Sequence, residues 1–392
     1  AARRAEALLR HMESLHLAGN DDVKPDVFSY TSVMSAWAGS RDPDASDRAL
    51  NLLEEMQSRH ESTGDDDVRP NAVSYTCVIN ALGRSGRAGA AARAHDLLQR
   101  MEALHEAGHA GMKPDTVCYS SVIDAYARSA GRAQSWEEGG EMAVSNAEML
   151  LDQMNQMFRG GDADVQPNVR TYCSVITALG RSGAYGAAER AERMLDEMER
   201  QYAFDENVEV KPNTVVYNAV IDAYARSSFK GKVQCAWNLL IRMEEEFLEG
   251  NADVQPDTIT YNSILNAAAN AYGDATDKRA AFRIALRSFK ELHKSKSERC
   301  CPTSVSYSLF LKAVRKLVPQ GNERDAIVKK TFRFCVGDGL LNKFVWNQLK
   351  RTCEDAMILE ILESCGYTTS SVGSTCVEDM PAEWRSNSHK RR

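Results

Sequence analysis

The sequence predicts an all-α solenoid of stacked helix-turn-helix repeats, and three observations predict it. First, the frame Pro-[Asp/Asn/Thr]-x-x-x-Tyr recurs seven times, ending at Tyr30, Tyr75, Tyr119, Tyr172, Tyr217, Tyr261 and Tyr307, at spacings of 44 to 46 residues save one of 53. Second, each tyrosine opens an apolar stripe at i, i+3, i+4 and i+7, as in Tyr75, Val78, Ile79 and Leu82, the signature of an amphipathic helix A. Third, a helix B follows with the pattern Ala-x-x-Leu-Leu-x-x-Met, seen at Ala94, Leu97, Leu98 and Met101 and again at Ala236, Leu239, Leu240 and Met243. Two helices cannot bury their apolar faces alone, so repeats at this period must stack on their neighbours.

Taken in order, residues 1–26 carry the helix B pattern at Ala5, Leu8, Leu9 and Met12 and read as a truncated repeat with its connector. Residues 27–317 read as six full repeats and the first helix of a seventh. Each repeat's proline breaks the preceding chain and forces its predecessor to be extended, and the Asp, Asn or Thr after it can cap the next helix. Polar connectors such as "STGDDDVRP" and "GGDADVQP" hold much of the acid. The stretch 129–146 lengthens one repeat and is expected to bulge as a loop. Residues 318–366 lose the repeat frame but keep helical patterning, and are expected to cap the open end. The Ser/Thr-rich stretch 367–392 is expected to be a largely disordered tail.

Composition narrows the function classes. The 392 residues are 43% hydrophobic and 26% charged, which suits a globular chain, and the net charge of −7 argues against a uniformly basic nucleic-acid binder. No stretch approaches the roughly 20 uncharged apolar residues of a membrane span. The ten cysteines include no CxxC, so free thiols in a reducing compartment are expected, with no metal or other cofactor. The opening "AARRAEALLRHMESLH" carries Glu6 and Glu13 and reads as helix rather than transit peptide, so a targeting segment is expected outside these residues. The P-C-x-x-C half of a zinc deaminase signature is absent. The acids Glu354, Asp355, Glu360 and Glu363 fall at helical spacing and read as a solvated face, so no catalytic residues are expected.

Projecting helix A at about 100° per residue puts a second set of residues opposite the core arc. These are Val73, Thr76, Asn80 and Arg84 in one repeat, then Val117, Ser120, Asp124 and Arg128, then Arg170, Cys173, Thr177 and Arg181, then Val215, Asn218, Asp222 and Arg226. In a solenoid such register makes columns. A column of Arg84, Arg128, Arg181 and Arg226, joined by Lys316 and interrupted at Gly39 and Asn270, suits a chain of phosphates. The residue after each tyrosine comes from a narrow set: Thr31, Thr76, Ser120, Cys173, Asn218, Asn262 and Ser308.

The phrases "KPDVFSYTSVMSAWA", "KPDTVCYSSVIDAYARS", "KPNTVVYNAVIDAYARS" and "QPDTITYNSILNAA" resemble the pentatricopeptide repeat family over residues 1 to about 317. The repeats here are about ten residues longer than the family's usual 35 or so, and the Trp, Gly and Tyr landmarks of the tetratricopeptide repeat are absent. With this resemblance the expected architecture is a right-handed superhelical solenoid. The resemblance implies single-stranded RNA as partner, one base per repeat, running 5′ to 3′ as the protein runs N to C. It implies that the residue two before each tyrosine packs on base faces: Phe28, Val73, Val117, Val215, Ile259 and Val305, with Arg170 stacking by its guanidinium plane. The residue after the tyrosine and the cap of the next helix would then read the base. Thr31 with Asn71 implies A, Thr76 with Asp115 implies G, Ser120 with Asn168 implies A, Cys173 with Asn213 leaves A or C, Asn218 with Asp257 implies U, and Asn262 with Thr303 implies a pyrimidine, C ahead of U. Ser308 has no evident closing residue. The implied site is 5′-AGA[A/C]UC-3′, read without catalysis in a mitochondrion or plastid, in RNA processing, stability, editing or translation, with protein partners of an RNA-processing complex. A peptide-gripping scaffold is the other class, and Asp124 and Asp222 on the same arc favour it.

Overall fold

The structure, a computed structural model, describes residues 1–131, 140–205, 207–294, 299–369, 371–373 and 375–387. Among these there are seventeen α-helices and no strand, as the periodicity predicts. The chain forms two compact units, Ala1–Ala184 with Arg200–Lys211, and Tyr185–Glu199 with Pro212–Arg392.

In the first unit, α1 (Ala2–Leu17) precedes the hairpins α2 (Val27–Ala38) with α3 (Ala45–Thr63), α4 (Ala72–Ser85) with α5 (Ala90–Glu106), and α6 (Thr116–Ser129) with α7 (Glu141–Arg159), then α8 (Val169–Ser182). The A helices α2, α4, α6 and α8 pack side by side, and α3, α5 and α7 each wedge against the A helix before and after them. The helix α9 (Ala187–Asp205) contributes residues to both units. The second unit repeats the scheme with α10 (Thr214–Arg226) and α11 (Lys232–Leu248), α12 (Thr258–Ala269) and α13 (Ala275–Lys294), and α14 (Ser304–Leu317) and α15 (Asn322–Gly337). It ends with the short helices α16 (Lys343–Thr352) and α17 (Asp355–Ser364). Helices α10, α12, α14 and α16 form its A layer. Of the expected bulge over 129–146, residues 132–139 lie outside the described residues, and 141–146 are not loop but the first turns of α7.

Each helix A starts where it does because of its cap. Asp26, Asn71, Asp115, Asn168, Asn213, Asp257 and Thr303 each accept a hydrogen bond from a first-turn backbone N–H, at 2.8 to 3.4 Å. At five of them a Ser or Thr just before the tyrosine answers with a bond to the cap backbone, closing a capping box. The "GRSG" phrase ends α4 and α8, with Gly86 and Gly183 in the left-handed conformation at φ of 60° and 65°. Gly83 lies so close to α6 that a Cβ there would stand 3.1 Å from the Ser121 carbonyl oxygen.

All seven frame tyrosines are buried, as are Val78, Ile79 and Leu82 and the Ala, Leu, Leu and Met of α5 and α11. In α1 only Leu9 of the corresponding four is buried, and Leu8 is exposed. The buried hydroxyls are satisfied across hairpins: Tyr30 donates to Glu13 at 2.6 Å, Tyr119 to Glu102, Tyr217 to Glu199 and Glu246 at 2.6 Å each, and Tyr307 to Asp338.

The connectors are more ordered than a polar loop. Asn20, Asp65, Asp162, Asn207 and Asn251 each accept from the N–H two residues on, nucleating a 3-10 turn whose final valine is buried in four of the five. Those turns fasten to one another. Lys24 bridges Asp65 and Asp67 at 2.8 Å each, Lys113 bridges Asp162 and Asp164 at 2.8 and 2.7 Å, and Thr214 donates to the Asp253 and Gln255 carbonyls at 2.9 Å. The extra residues of these long repeats therefore build a second ladder beside the helical stack.

Residues 318–366 are helical, as expected, in α15, α16 and α17, whereas the described part of the tail departs from the expected disorder. The α14–α15 pair is a complete hairpin, and α16 packs on α14 as α12 packs on α10 and α14 on α12. Within 367–392 the described residues fold back. Trp384 is buried, edge-on to Phe332 and Tyr367, and its carbonyl accepts from the Leu341 N–H at 2.9 Å. Asn387 bonds the Asp338 and Gly339 carbonyls at 2.9 Å each.

Candidate nucleic-acid interface

Helix A presents its first turn outward on one side, and there the structure leaves apolar side chains in water. Phe28, Val73 and Val117 in the first unit, and Val215, Ile259 and Val305 in the second, are half to three-quarters exposed, each at the second residue of its helix. Arg170 holds that position in α8 and is also exposed. Single exposed aliphatics are ordinary, but here one helical position is apolar and exposed in repeat after repeat while the tyrosine two residues on is buried every time.

Of the residues after the tyrosines, Asn218 meets the cap of the next helix directly, and Ser120 and Thr76 meet its first turn. The Asn218 side-chain amide donates to Asp257 Oδ1 at 3.1 Å. Ser120 Oγ bonds Thr171 Oγ1 at 2.8 Å, and Thr171 bonds the cap Asn168 at 3.2 Å. Thr76 Oγ1 sits 3.0 Å from Cys118 Sγ, whose backbone N–H is held by Asp115. Thr31 bonds its own helix at the Val27 carbonyl, 2.7 Å away, and no hydrogen bond joins it to Asn71, nor Asn262 to Thr303, among the described residues. Cys173 lies in the first unit and Asn213 in the second; burial pushes the Cys173 thiol up, keeping it a neutral donor.

Two of these side chains carry an unmet demand. Asn218 Oδ1 and Asn262 Oδ1 are buried and accept no hydrogen bond among the described residues. A buried acceptor without a donor costs about 1–3 kcal/mol, so each site is primed for an incoming N–H. The cap residues are committed differently: each spends an oxygen on its helix start. Their narrow alphabet thus has a structural cause that the sequence did not separate from reading. Asp257→Asn is expected to keep the cap and the melting temperature, whereas Asp257→Ala is expected to cost about 1 kcal/mol in thermal or urea unfolding.

The basic column is partly neutralised. Arg84 is exposed and has no ion-pair partner among the described residues, whereas Arg128 pairs with Asp124 at 2.8 Å and Arg226 with Asp222 at 2.6 Å on their own helices. Arg181 lies across the end of α6, donating to the Ala127 carbonyl at 3.4 Å. Arg84, Arg128 and Arg170 line a cleft of about 500 Å³ with Asn80 and Asp124. The surface pairs are worth only about 0–1 kcal/mol, so a phosphate can displace the carboxylates. Lys316 is exposed, and near it the sequence reading missed Lys232 and Lys312. Lys312 stands where Asp124 and Asp222 stand in other repeats and donates to Asn270 Oδ1 at 2.9 Å. Burial and the neighbouring cations push both lysines' pKa down. That patch adds two cations to the column, and its signal was a lysine in a position held in the other repeats by Ser, Asn, Asp or Thr.

The fold and the interface define a helical-hairpin repeat protein. A family model described as a pentatricopeptide repeat domain matches residues 15–85, 159–227 and 249–316, more than half of the chain; a PPR repeat family model matches 212–270 and a PPR repeat model 73–103. The chain belongs to the pentatricopeptide repeat family. Among solved structures it is similar to the pentatricopeptide repeat protein PPR10 from maize, at 21% identity and a TM-score of 0.47, covering 94% of this chain and 50% of that one. The same protein in complex with an 18-nt psaJ RNA element gives 21% identity and a TM-score of 0.43, covering 94% of this chain and 51% of that one. The chain spans about half the length of these structures. No curated protein matches it.

Proposed function

We propose that the chain is a non-catalytic binder of single-stranded RNA that reads one base per repeat, with the core site 5′-AGA[A/C]UC-3′. The observation that carries the reading is the pair of orphaned amide oxygens, Asn218 Oδ1 and Asn262 Oδ1, each beside an exposed apolar side chain at Val215 and Ile259. A base stacked on the aliphatic surface delivers its hydrogen-bonding edge to the orphaned acceptor. Uracil brings its ring N–H and cytosine its exocyclic amine, the two pyrimidines assigned there. The arginines and lysines of the column take the backbone phosphates. An organellar role in RNA processing, stability, editing or translation, with protein partners in such a complex, belongs to the same proposal.

Fluorescence anisotropy with 5′-AGAAUC-3′ and its C variant inside unstructured RNA, beside a shuffled RNA and the DNA equivalent across a salt series, tests it. The predicted RNA is expected to bind tightest, and Asn218→Thr to move the preference at the U position toward G by about tenfold. Equal, salt-dependent binding to all four would refute base reading, and absence of binding would favour the protein-scaffold alternative.

A further inference from the structure

We propose that α14 and α16 form a seventh base-reading repeat, in which Ser308 and Asn342 read an adenine immediately 3′ of the core site while Phe344 stacks on it. The inference rests on the RNA reading above and extends it into residues that no family model matches, beyond 316.

The frame that marks the other repeats is missing here. Leu341 replaces the proline and Trp346 the tyrosine, so the text "LLNKFVWNQ" does not announce a repeat. The geometry does. Asn342 caps α16 with Oδ1 accepting from the N–H groups of Phe344 and Val345 at 3.0 Å each, the pattern by which Asn213 caps α10 from Val215 and Val216. Four residues after that cap Trp346 is buried, as every frame tyrosine is four residues after its own cap. Two residues after the cap Phe344 is 75% exposed, matching Phe28 at the other end of the chain. A phenylalanine left in water at that single register position is the feature a base platform needs, and aromatics stack bases better than the aliphatics of the intervening repeats.

The reading pair follows from the same packing. Since α16 lies against α14, Asn342 holds the register position relative to Ser308 that Asn168 holds relative to Ser120: the cap of the helix packed next to the one that carries the serine. Ser308 is partly exposed, and its hydroxyl has no hydrogen-bond partner among the described residues. Asn342 has its oxygen tied to the helix start, and its amide N–H groups are left to donate. A small hydroxyl beside an amide donor accommodates a purine with an unprotonated ring nitrogen, which is adenine.

The loop before this cap lacks the 3-10 turn that precedes α2, α4, α6, α8, α10 and α12, and the C-terminal segment takes its place. Trp384 and Asn387 hold the backbone of Asp338, Gly339 and Leu341, and Lys343 pairs with Glu378 at 3.2 Å. These contacts fix the chain direction into Asn342, which the proline does elsewhere.

The test is anisotropy of the full chain on 5′-AGAAUCN-3′, with N as each of the four bases in an unstructured context. The wild type is expected to prefer A by about tenfold, Asn342→Asp to shift the preference to G with unchanged melting temperature, and Phe344→Ala to weaken all four RNAs alike. Discrimination among core bases with indifference at N, in wild type and variants alike, would overturn the seventh repeat while leaving the core reading standing. Loss of discrimination at every position would instead strike the reading on which it rests.

Discussion

Val215→Asp with Ile259→Asp is expected to lower RNA affinity by about a hundredfold or more, at about 1–3 kcal/mol of stacking lost per base, while leaving the fold intact. Both side chains are largely in water, so nothing in the core loses a contact. Both also sit in the first turn of their helices, where a carboxylate complements the positive end of the dipole. The melting temperature is therefore expected to hold or rise slightly. The aspartates also repel phosphate, so the pair Val215→Ser and Ile259→Ser separates the causes: a platform role predicts that most of the loss persists with serine, measured by anisotropy at fixed salt. Retained affinity in the serine pair would show that the exposed column does not stack bases.

A second large effect is expected on raising the pH. Tyr30, Tyr119, Tyr217 and Tyr307 are fully buried, and burial, reinforced by the carboxylates of Glu13, Glu102, Glu246 and Asp338, holds their phenols well above the ordinary range. In the unfolded chain these groups ionise near pH ~10. A raised native pKa means that their stabilisation is complete below that pH and declines above it, because only the unfolded state releases protons. Each tyrosine then removes about 1.4 kcal/mol per pH unit, and four remove about 5.5 kcal/mol within one unit, a large part of a typical domain's stability. Helical circular dichroism is expected to collapse just above pH ~10, in step with phenolate absorbance. Phenolate signals appearing on an intact helical spectrum would contradict this account of the tyrosine ladder.

The parts of the fold legible in the sequence were those written locally. A cap followed four residues later by an apolar stripe is a short-range code, so the starts of α2, α4, α6, α8, α10, α12 and α14 stood in the text, and the exposed column followed from their phase. The connector turns were missed because their signal, an Asn or Asp two residues before an acidic residue and then a valine, hides in a stretch whose acidity reads as solvation. The hairpin of α14 with α15 and the packing of α16 were missed for a different reason. Once Leu341 and Trp346 replace proline and tyrosine, only contact with α14 reveals the repeat. Trp384 was lost in a Ser/Thr-rich tail because one buried aromatic outweighs composition when a hydrophobic ledge built by Phe332 and Tyr367 awaits it. Of the candidate interface, the exposed position two before each tyrosine was legible but the orphaned oxygens of Asn218 and Asn262 were not, since absence of a partner is a property of three-dimensional surroundings.

The capping geometry sets a limit on what such a protein can come to recognise. A side chain that must start a helix can be exchanged only among Asp, Asn, Ser and Thr without loosening the stack. On the cap side of each proposed reading pair, substitution is therefore confined to a vocabulary of four letters, fixed by the backbone rather than by RNA. Between Asp and Asn, which both keep the oxygen that caps the helix, the step is nearly neutral for folding and, under the proposed reading, changes the base that is preferred. Under that reading, a change of target costs the scaffold little, because the atom that starts the helix and the atom that meets the base sit at opposite ends of one small side chain.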